Sequence, residues 1–146
     1  MAYKKMLVAY DFSDSGEKAL QKANELAGHD KAKLHILHVV EYLPPVDTSF
    51  GAVSPFEVDL TDQLVESAKS RLASVAEKLG IPKEQRWVEL GSPKLEIVRV
   101  AEEVGVDLIV VGTHGRHGFG LLLGSTASSV VNHALCDVLS VRGKDE

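Results

Sequence analysis

The stretch VVGTHGRHGFGLLLGST combines glycines with hydroxyl side chains in a pattern that could bind an anion. Gly112 and Gly115 follow an apolar run, and Gly124 directly precedes Ser125 and Thr126, at the start of a helical pattern. Glycine lets the backbone approach a phosphate group closely, and the N–H groups at a helix start attract negative charge. The spacing therefore predicts a phosphate site. The alternative is a tight turn at the first two glycines, with Gly124 only relieving helix packing.

This glycine loop matches neither of two common nucleotide motifs. A P-loop has a lysine directly after its last glycine, whereas here Ser125 follows Gly124. The dinucleotide fingerprint belongs after the first strand, where this chain has YDFSDSG instead. These differences argue against a P-loop protein and against a nicotinamide-dependent enzyme.

Asp11 follows the first apolar run and is a second candidate for ligand binding. Ligands of open parallel sheets bind beyond the carboxyl ends of the strands, where Asp11 is expected to lie. Its carboxylate could accept hydrogen bonds from ribose hydroxyls or hold a metal ion carried by phosphates. Alternatively, Asp11 or Ser13 caps the first helix, and capping and ligand binding can coexist.

His114 and His117 lie three residues apart in the glycine loop and raise the possibility of a metal site. No cysteine or carboxylate lies close to them in the sequence, so a dedicated metal site is not favoured. The more economical interpretation is that they line a phosphate pocket together with Arg116. No Gly-x-Ser-x-Gly pattern indicates a nucleophile, and Cys136 is expected to be a small buried residue.

Apolar runs and helical patterns alternate along the whole chain, and this order positions the candidate residues. Strands are predicted over residues 6–10, 33–40, 86–90, 107–112 and 137–142. Helical patterns separate them, which predicts an α/β fold with a parallel sheet and helices on both faces. The first helix is expected to start with a capping box at Asp14 and Glu17 and to end at Gly28, and Ser92 with Pro93 starts a later one.

One segment, residues 41–60, fits neither pattern, because it contains three prolines and two phenylalanines. A loop of this length inside a compact domain is typically functional, for example as a cover over a ligand. A solvent-exposed crossover between strand and helix is the equally weighted alternative.

Composition sets limits on the class of protein. A chain of 146 residues with 45% hydrophobic residues can form one domain, predicted over residues 1–146. The formal net charge of −5 argues against nucleic acid or an anionic membrane as a partner. No apolar stretch is long enough to insert into a membrane, and the single cysteine excludes an internal disulfide. A cytoplasmic location is therefore expected.

The loop pattern Gly112-x2-Gly115-x8-Gly124-Ser125-Thr126 resembles the glycine signature of the ATP-binding branch of the universal stress protein family. The resemblance extends over nearly the whole chain, from KKMLVAYDFSDSGEKAL to CDVLSVR. The family more commonly has nine residues between the second and third glycines, whereas this chain has eight, so its loop is one residue shorter. Ala9 stands where the family usually has proline.

This resemblance implies a single-domain, open five-stranded parallel sheet with strand order 3-2-1-4-5, of the adenine nucleotide alpha-hydrolase-like class. It implies ATP bound with Mg²⁺ or Mn²⁺. Asp11 would contact ribose or the metal–phosphate region, and Val39 would contact adenine through its backbone. The residues implied to surround ribose and phosphates are Gly112, Gly115, Gly124, Ser125 and Thr126.

The resemblance also implies a regulatory role in stress, with an unidentified protein partner and a homodimer formed through the last strand. A proline at Val141 in that strand is expected to weaken the dimer. Two other functions stay open. The chain could be a slow ATPase or nucleotide-transfer enzyme, or an interaction protein that has lost nucleotide binding.

Overall fold

The computed structural model describes residues 2–41, 55–113 and 124–143, without the side chains of residues 55–59. Strands and helices alternate throughout these ranges, as the periodicity predicts. In chain order the elements are β1 (Lys5–Ala9), α1 (Asp14–Asp30), β2 (Lys33–Glu41), α2 (Pro55–Lys78), β3 (Arg86–Gly91), α3 (Pro93–Val104), β4 (Leu108–Gly112), α4 (Ser125–His133) and β5 (Asp137–Val141). A short 3₁₀ helix, Lys83–Gln85, precedes β3.

The strands form one parallel sheet in the order β3-β2-β1-β4-β5, which confirms the predicted fold class. β1 is the central strand, and Met6 lies opposite Leu34 of β2 and Leu108 of β4. Since the chain crosses first to one side of β1 and later to the other, the strand order reverses between β1 and β4. Ligands of such sheets bind beside this switch point.

Each face of the sheet buries its own apolar layer, because successive side chains of a strand point to opposite faces. On one face Met6 and Val8 pack with α1 and α2, and on the other Leu7 packs with α3 and α4. Burial on both faces explains why β1 and β4 are continuous apolar runs rather than alternating ones. The largest fully buried side chains are Met6, Leu7, Leu20, Ile36, Leu37, Leu72 and Ile109.

The capping box and the end at Gly28 predicted for α1 were wrong, whereas Ser13, the alternative cap, is confirmed. The N-cap is Ser13 rather than Asp14, and the Glu17 carboxylate accepts a hydrogen bond from the Tyr10 hydroxyl (2.9 Å) instead of closing a capping box. The helix passes through Gly28 and ends at Asp30, where Lys31 adopts a left-handed conformation (φ 57°). A glycine in the last turns weakens a helix without ending it.

The other element boundaries agree better with the sequence. Ser92 and Pro93 start α3 as predicted. α2 already begins at Pro55, so the irregular segment is shorter than 41–60, and residues 42–54 lie outside the described residues. α4 ends at His133. Within the described ranges, no helix combines the length and the apolar character needed to cross a membrane.

Candidate functional site

A cleft of about 550 Å³ opens at the carboxyl edge of the sheet, beside the switch point between β1 and β4. The ends of β1, β2 and β4 form its floor, and residues of α2, α3 and α4 form its walls. Gly115, together with His114 and His117, lies outside the described residues. The other six predicted site residues all line the cleft: Asp11, Val39, Gly112, Gly124, Ser125 and Thr126.

The N-terminus of α4 opens into this cleft. Gly124 is its N-cap and provides no side-chain acceptor for the N–H groups of the first turn. The Gly124 N–H itself donates to the carbonyl oxygen of Thr113 (2.7 Å), which ties the helix start to the end of β4. The N–H groups on offer to an anion are therefore those after Gly124, where the helix dipole is also favourable.

Asp11 and Ser13 divide the two roles that the sequence left open for them. Ser13 caps α1, since its hydroxyl oxygen accepts a hydrogen bond from the Gly16 N–H (3.0 Å). Asp11 orients that cap, because its Oδ1 accepts from both the backbone N–H and the hydroxyl of Ser13. Among the described residues none donates to Asp11 Oδ2, so this oxygen is available to a ligand. Capping and ligand binding are thus compatible.

Gly112 has a packing role that the sequence did not indicate. It ends β4 where the first turn of α1 crosses the sheet edge. A Cβ atom at Gly112 would collide with the Ser15 hydroxyl and lie 2.9 Å from the Ser15 carbonyl group. Glycine is required here by α1, whatever the cleft binds, and no short-range pattern could reveal a contact between two distant elements.

Sequence reasoning also missed a cluster of rings on the α2 side of the cleft. Phe12 makes edge-to-face contacts with Tyr10 and with His38, both with centroids 4.8 Å apart. The His38 Nδ1–H donates to the Tyr10 carbonyl oxygen (2.8 Å), and the Arg71 guanidinium lies 3.9 Å above the Phe12 ring. Tyr10, His38 and Arg71 line the cleft. Arg71 gave no signal in the sequence, because its contact with Phe12 joins two residues that lie far apart along the chain.

Burial raises the pKa of two weakly acidic groups, the Tyr10 hydroxyl at the cleft and the Cys136 thiol at the opposite edge of the sheet. Burial, reinforced by the hydrogen bond to Glu17, raises the pKa of Tyr10 to about 12, so its hydroxyl stays protonated. Burial also raises the pKa of the Cys136 thiol, with Asp137 adding to the effect. Among the described residues, no three His, Cys, Asp or Glu side chains group as a metal site.

The family model that describes the universal stress protein family matches residues 2–142 of the chain. The chain belongs to the universal stress protein family. It is 43% identical over 143 residues to universal stress protein A homolog 2 of Coxiella burnetii, with 97% of each chain covered. The predicted membership of the universal stress protein family is thereby confirmed.

Two solved structures of universal stress proteins have the same fold. UspA from Lactobacillus plantarum superposes with a TM-score of 0.82 at 28% identity, over 97% of this chain and 99% of that one. A universal stress protein in complex with cAMP superposes with a TM-score of 0.62 at 29% identity, over 97% and 98% of the two chains. The second protein therefore binds an adenine nucleotide.

Proposed function

We propose that this universal stress protein is a cytoplasmic, homodimeric regulatory module that binds ATP with Mg²⁺ or Mn²⁺. The observation that carries the proposal is the convergence of the glycine loop ends, Asp11 and the start of α4 on one cleft. A bound nucleotide would change which surfaces the protein offers to a protein partner during stress.

Each wall of the cleft fits one part of the nucleotide. The uncapped first turn of α4, with the hydroxyls of Ser125 and Thr126, suits phosphate oxygens. Asp11 Oδ2 suits a ribose hydroxyl or a phosphate-bound metal ion, and the end of β2 at Val39 suits the base. The cAMP complex of a relative with the same fold supports an adenine nucleotide as the ligand class.

A regulatory role is favoured over catalysis by the charges around the cleft. Asp11 and Glu41 are the carboxylates among its described lining residues. Ser13 engages Asp11 through Oδ1 and leaves Oδ2 for the ligand, and Glu41 is exposed at the end of β2. General-base catalysis needs a carboxylate that is positioned on the attacking water, and neither residue is held in such a position by a described neighbour.

Calorimetric titration with ATP and Mg²⁺ tests the proposal. Gly124→Val would place a branched side chain at the helix start and should abolish binding while the circular dichroism spectrum stays that of a folded protein. Gly28→Val is the matched control, because Gly28 is exposed on α1 and a Cβ there meets no atom within 4 Å. Folded Gly124→Val that binds ATP as tightly as the wild type would refute the site.

Native mass spectrometry of the purified protein separates the alternative functions. A retained ATP mass supports the regulatory module, and conversion of ATP to ADP during incubation supports an enzyme. A wild type that stays empty at millimolar ATP would leave an interaction protein that has lost nucleotide binding.

A further inference from the structure

Arg71 lies on α2 at the wall of the cleft, and its guanidinium group stacks on a ring with no counter-charge from any residue that the structure describes. The group stacks on the Phe12 ring at 3.9 Å. In the described part of the chain, its N–H groups make no hydrogen bond and no ion pair. Stacking fixes the plane of a guanidinium while leaving its N–H donors in that plane available, as recognition of a carboxylate or phosphate requires.

Phe12 itself adopts a conformation that is rare for a bulky residue. Its φ angle is 63°, in the left-handed region that favours glycine. The edge-to-face contacts with Tyr10 and His38, together with Arg71, hold the ring in this position. Strained backbone of this kind persists where the surroundings enforce it, and it concentrates at binding sites.

The cleft needs a cation if its ligand is a nucleotide. A nucleoside triphosphate carries several negative charges. The carboxylates of Asp11 and Glu41 in the described lining are negative as well, so they repel the phosphates. Arg71 is the one permanent cation among the described lining residues. The lysine that a P-loop would supply is missing from the glycine loop.

We propose that Arg71 contacts a phosphate group of the nucleotide bound in this cleft, and that Phe12 is the positioning residue that presents it. The inference rests on the proposed function. A guanidinium fork matches two phosphate oxygens and forms charge-assisted hydrogen bonds with them. Arg71 therefore makes the cleft selective for phosphorylated nucleotides over nucleosides.

Titration of three ligands into wild type and Arg71→Gln tests the role of Arg71. The ligands are ATP with Mg²⁺, adenosine and inorganic tripolyphosphate. Arg71→Gln should weaken ATP and tripolyphosphate by about ten- to a hundredfold and change adenosine by less than about twofold. Lys69→Gln is the matched control, because Lys69 is an exposed cation on the same helix, pairs with Glu66 and lies outside the cleft.

Two substitutions at Phe12 test the positioning role. Phe12→Asn removes the aromatic face with a residue that tolerates a positive φ, and it should weaken ATP but not adenosine. Phe12→Tyr keeps the face and should restore ATP affinity to within about twofold of the wild type. A loss of fold alone would weaken both ligands in both variants.

The outcomes distinguish this inference from the proposed function. Equal losses of ATP and adenosine in Arg71→Gln, or losses no larger than in Lys69→Gln, would overturn the role of Arg71 while ATP binding stands. If the wild type binds tripolyphosphate and Arg71→Gln weakens that binding, but ATP does not bind, the contact between Arg71 and an anion stands and ATP is refuted as the ligand. A wild type that binds none of the three would refute both.

Discussion

Gly112 at the end of β4 lies directly against Ser15 in the first turn of α1. The small residues allow the first turn of α1 to lie directly on the end of β4. Gly112→Ala should lower the free energy of unfolding by about 1–3 kcal/mol, because the added Cβ would collide with Ser15 and force a backbone shift. Urea denaturation followed by circular dichroism measures the change.

The control for Gly112→Ala is Gly28→Ala, at an exposed helical position where a Cβ meets no atom within 4 Å. This substitution should raise the free energy of unfolding by about 0.5–1 kcal/mol, because alanine loses less backbone entropy than glycine. If Gly112→Ala were as stable as the wild type, the close contact between α1 and β4 would not exist in solution.

His35 is a buried histidine whose neutral form the fold requires. Its Nδ1 accepts a hydrogen bond from the Trp87 Nε1–H (3.1 Å), so it carries no proton there. Burial lowers the pKa of His35 below its usual value, and the positive charges of Lys5 and Lys33 lower it further. His35 is therefore harder to protonate in the folded protein than in the unfolded chain, where a histidine gains its proton below about pH 6.5.

This difference makes stability depend on pH in one direction. The contribution of His35 is complete above the unfolded pKa and is lost as the pH falls from about 6.5 towards the folded pKa. His35→Gln keeps an acceptor for Trp87 and removes the titration, so its stability should fall less steeply between pH 7.5 and 5.5. Denaturation monitored by the fluorescence of Trp87, the single tryptophan, measures both slopes. Parallel slopes would contradict the assignment.

At the scale of elements, α1 and α3 both have a serine as N-cap, but the two serine side chains stabilise their helices to different degrees. The Ser13 hydroxyl accepts from the Gly16 N–H, whereas the Ser92 side chain makes no cap hydrogen bond. Ser13→Ala should therefore cost about 0.5–2 kcal/mol of stability, and Ser92→Ala much less. Thermal unfolding of the two variants gives the comparison. Equal losses would show that the hydrogen bond between the Gly16 N–H and Ser13 adds no stability.

The sequence predicts elements well where one physical signal dominates. Continuous apolar runs indicate strands buried on both faces, and Gly124 before Ser125 correctly predicts where α4 begins. It leaves alternatives open where several residues can fill the same role, as at the start of α1, where Asp11, Ser13 and Asp14 were all candidate caps and Ser13 is the one. Contacts between elements, such as Arg71 on Phe12, depend on packing that no local pattern contains.

At the scale of the whole molecule, β5 is an edge strand of the described sheet, and its outward backbone groups could pair with a second copy of the chain. Among the described strands it pairs with β4 alone, and its side chains from Val138 to Val141 are half-buried. Beside it, Leu135 is 83% and Val131 is 48% exposed, which leaves apolar surface next to the edge. Pairing of β5 with its two-fold copy would cover both in a closed contact.

The geometry of β5 corrects the choice of residue for testing that dimer. The Val141 carbonyl accepts from the Thr113 N–H (2.9 Å), so the peptide groups of Val141 face the interior of the sheet. Peptide groups alternate along a strand, which turns those of Ser140 outward. A proline at Val141 would thus break the internal ladder, and the outward position is Ser140.

Ser140→Pro should shift the protein from dimer to monomer at micromolar concentration while the fold is retained, because proline removes the outward N–H that the partner strand needs. Ser140→Ala, which keeps this N–H, should remain dimeric. Light scattering coupled to size exclusion gives the mass of each variant, and circular dichroism confirms folding. A monomeric wild type would refute the dimer itself. A dimeric, folded Ser140→Pro would show instead that the subunits meet through another surface, such as the apolar end of α4.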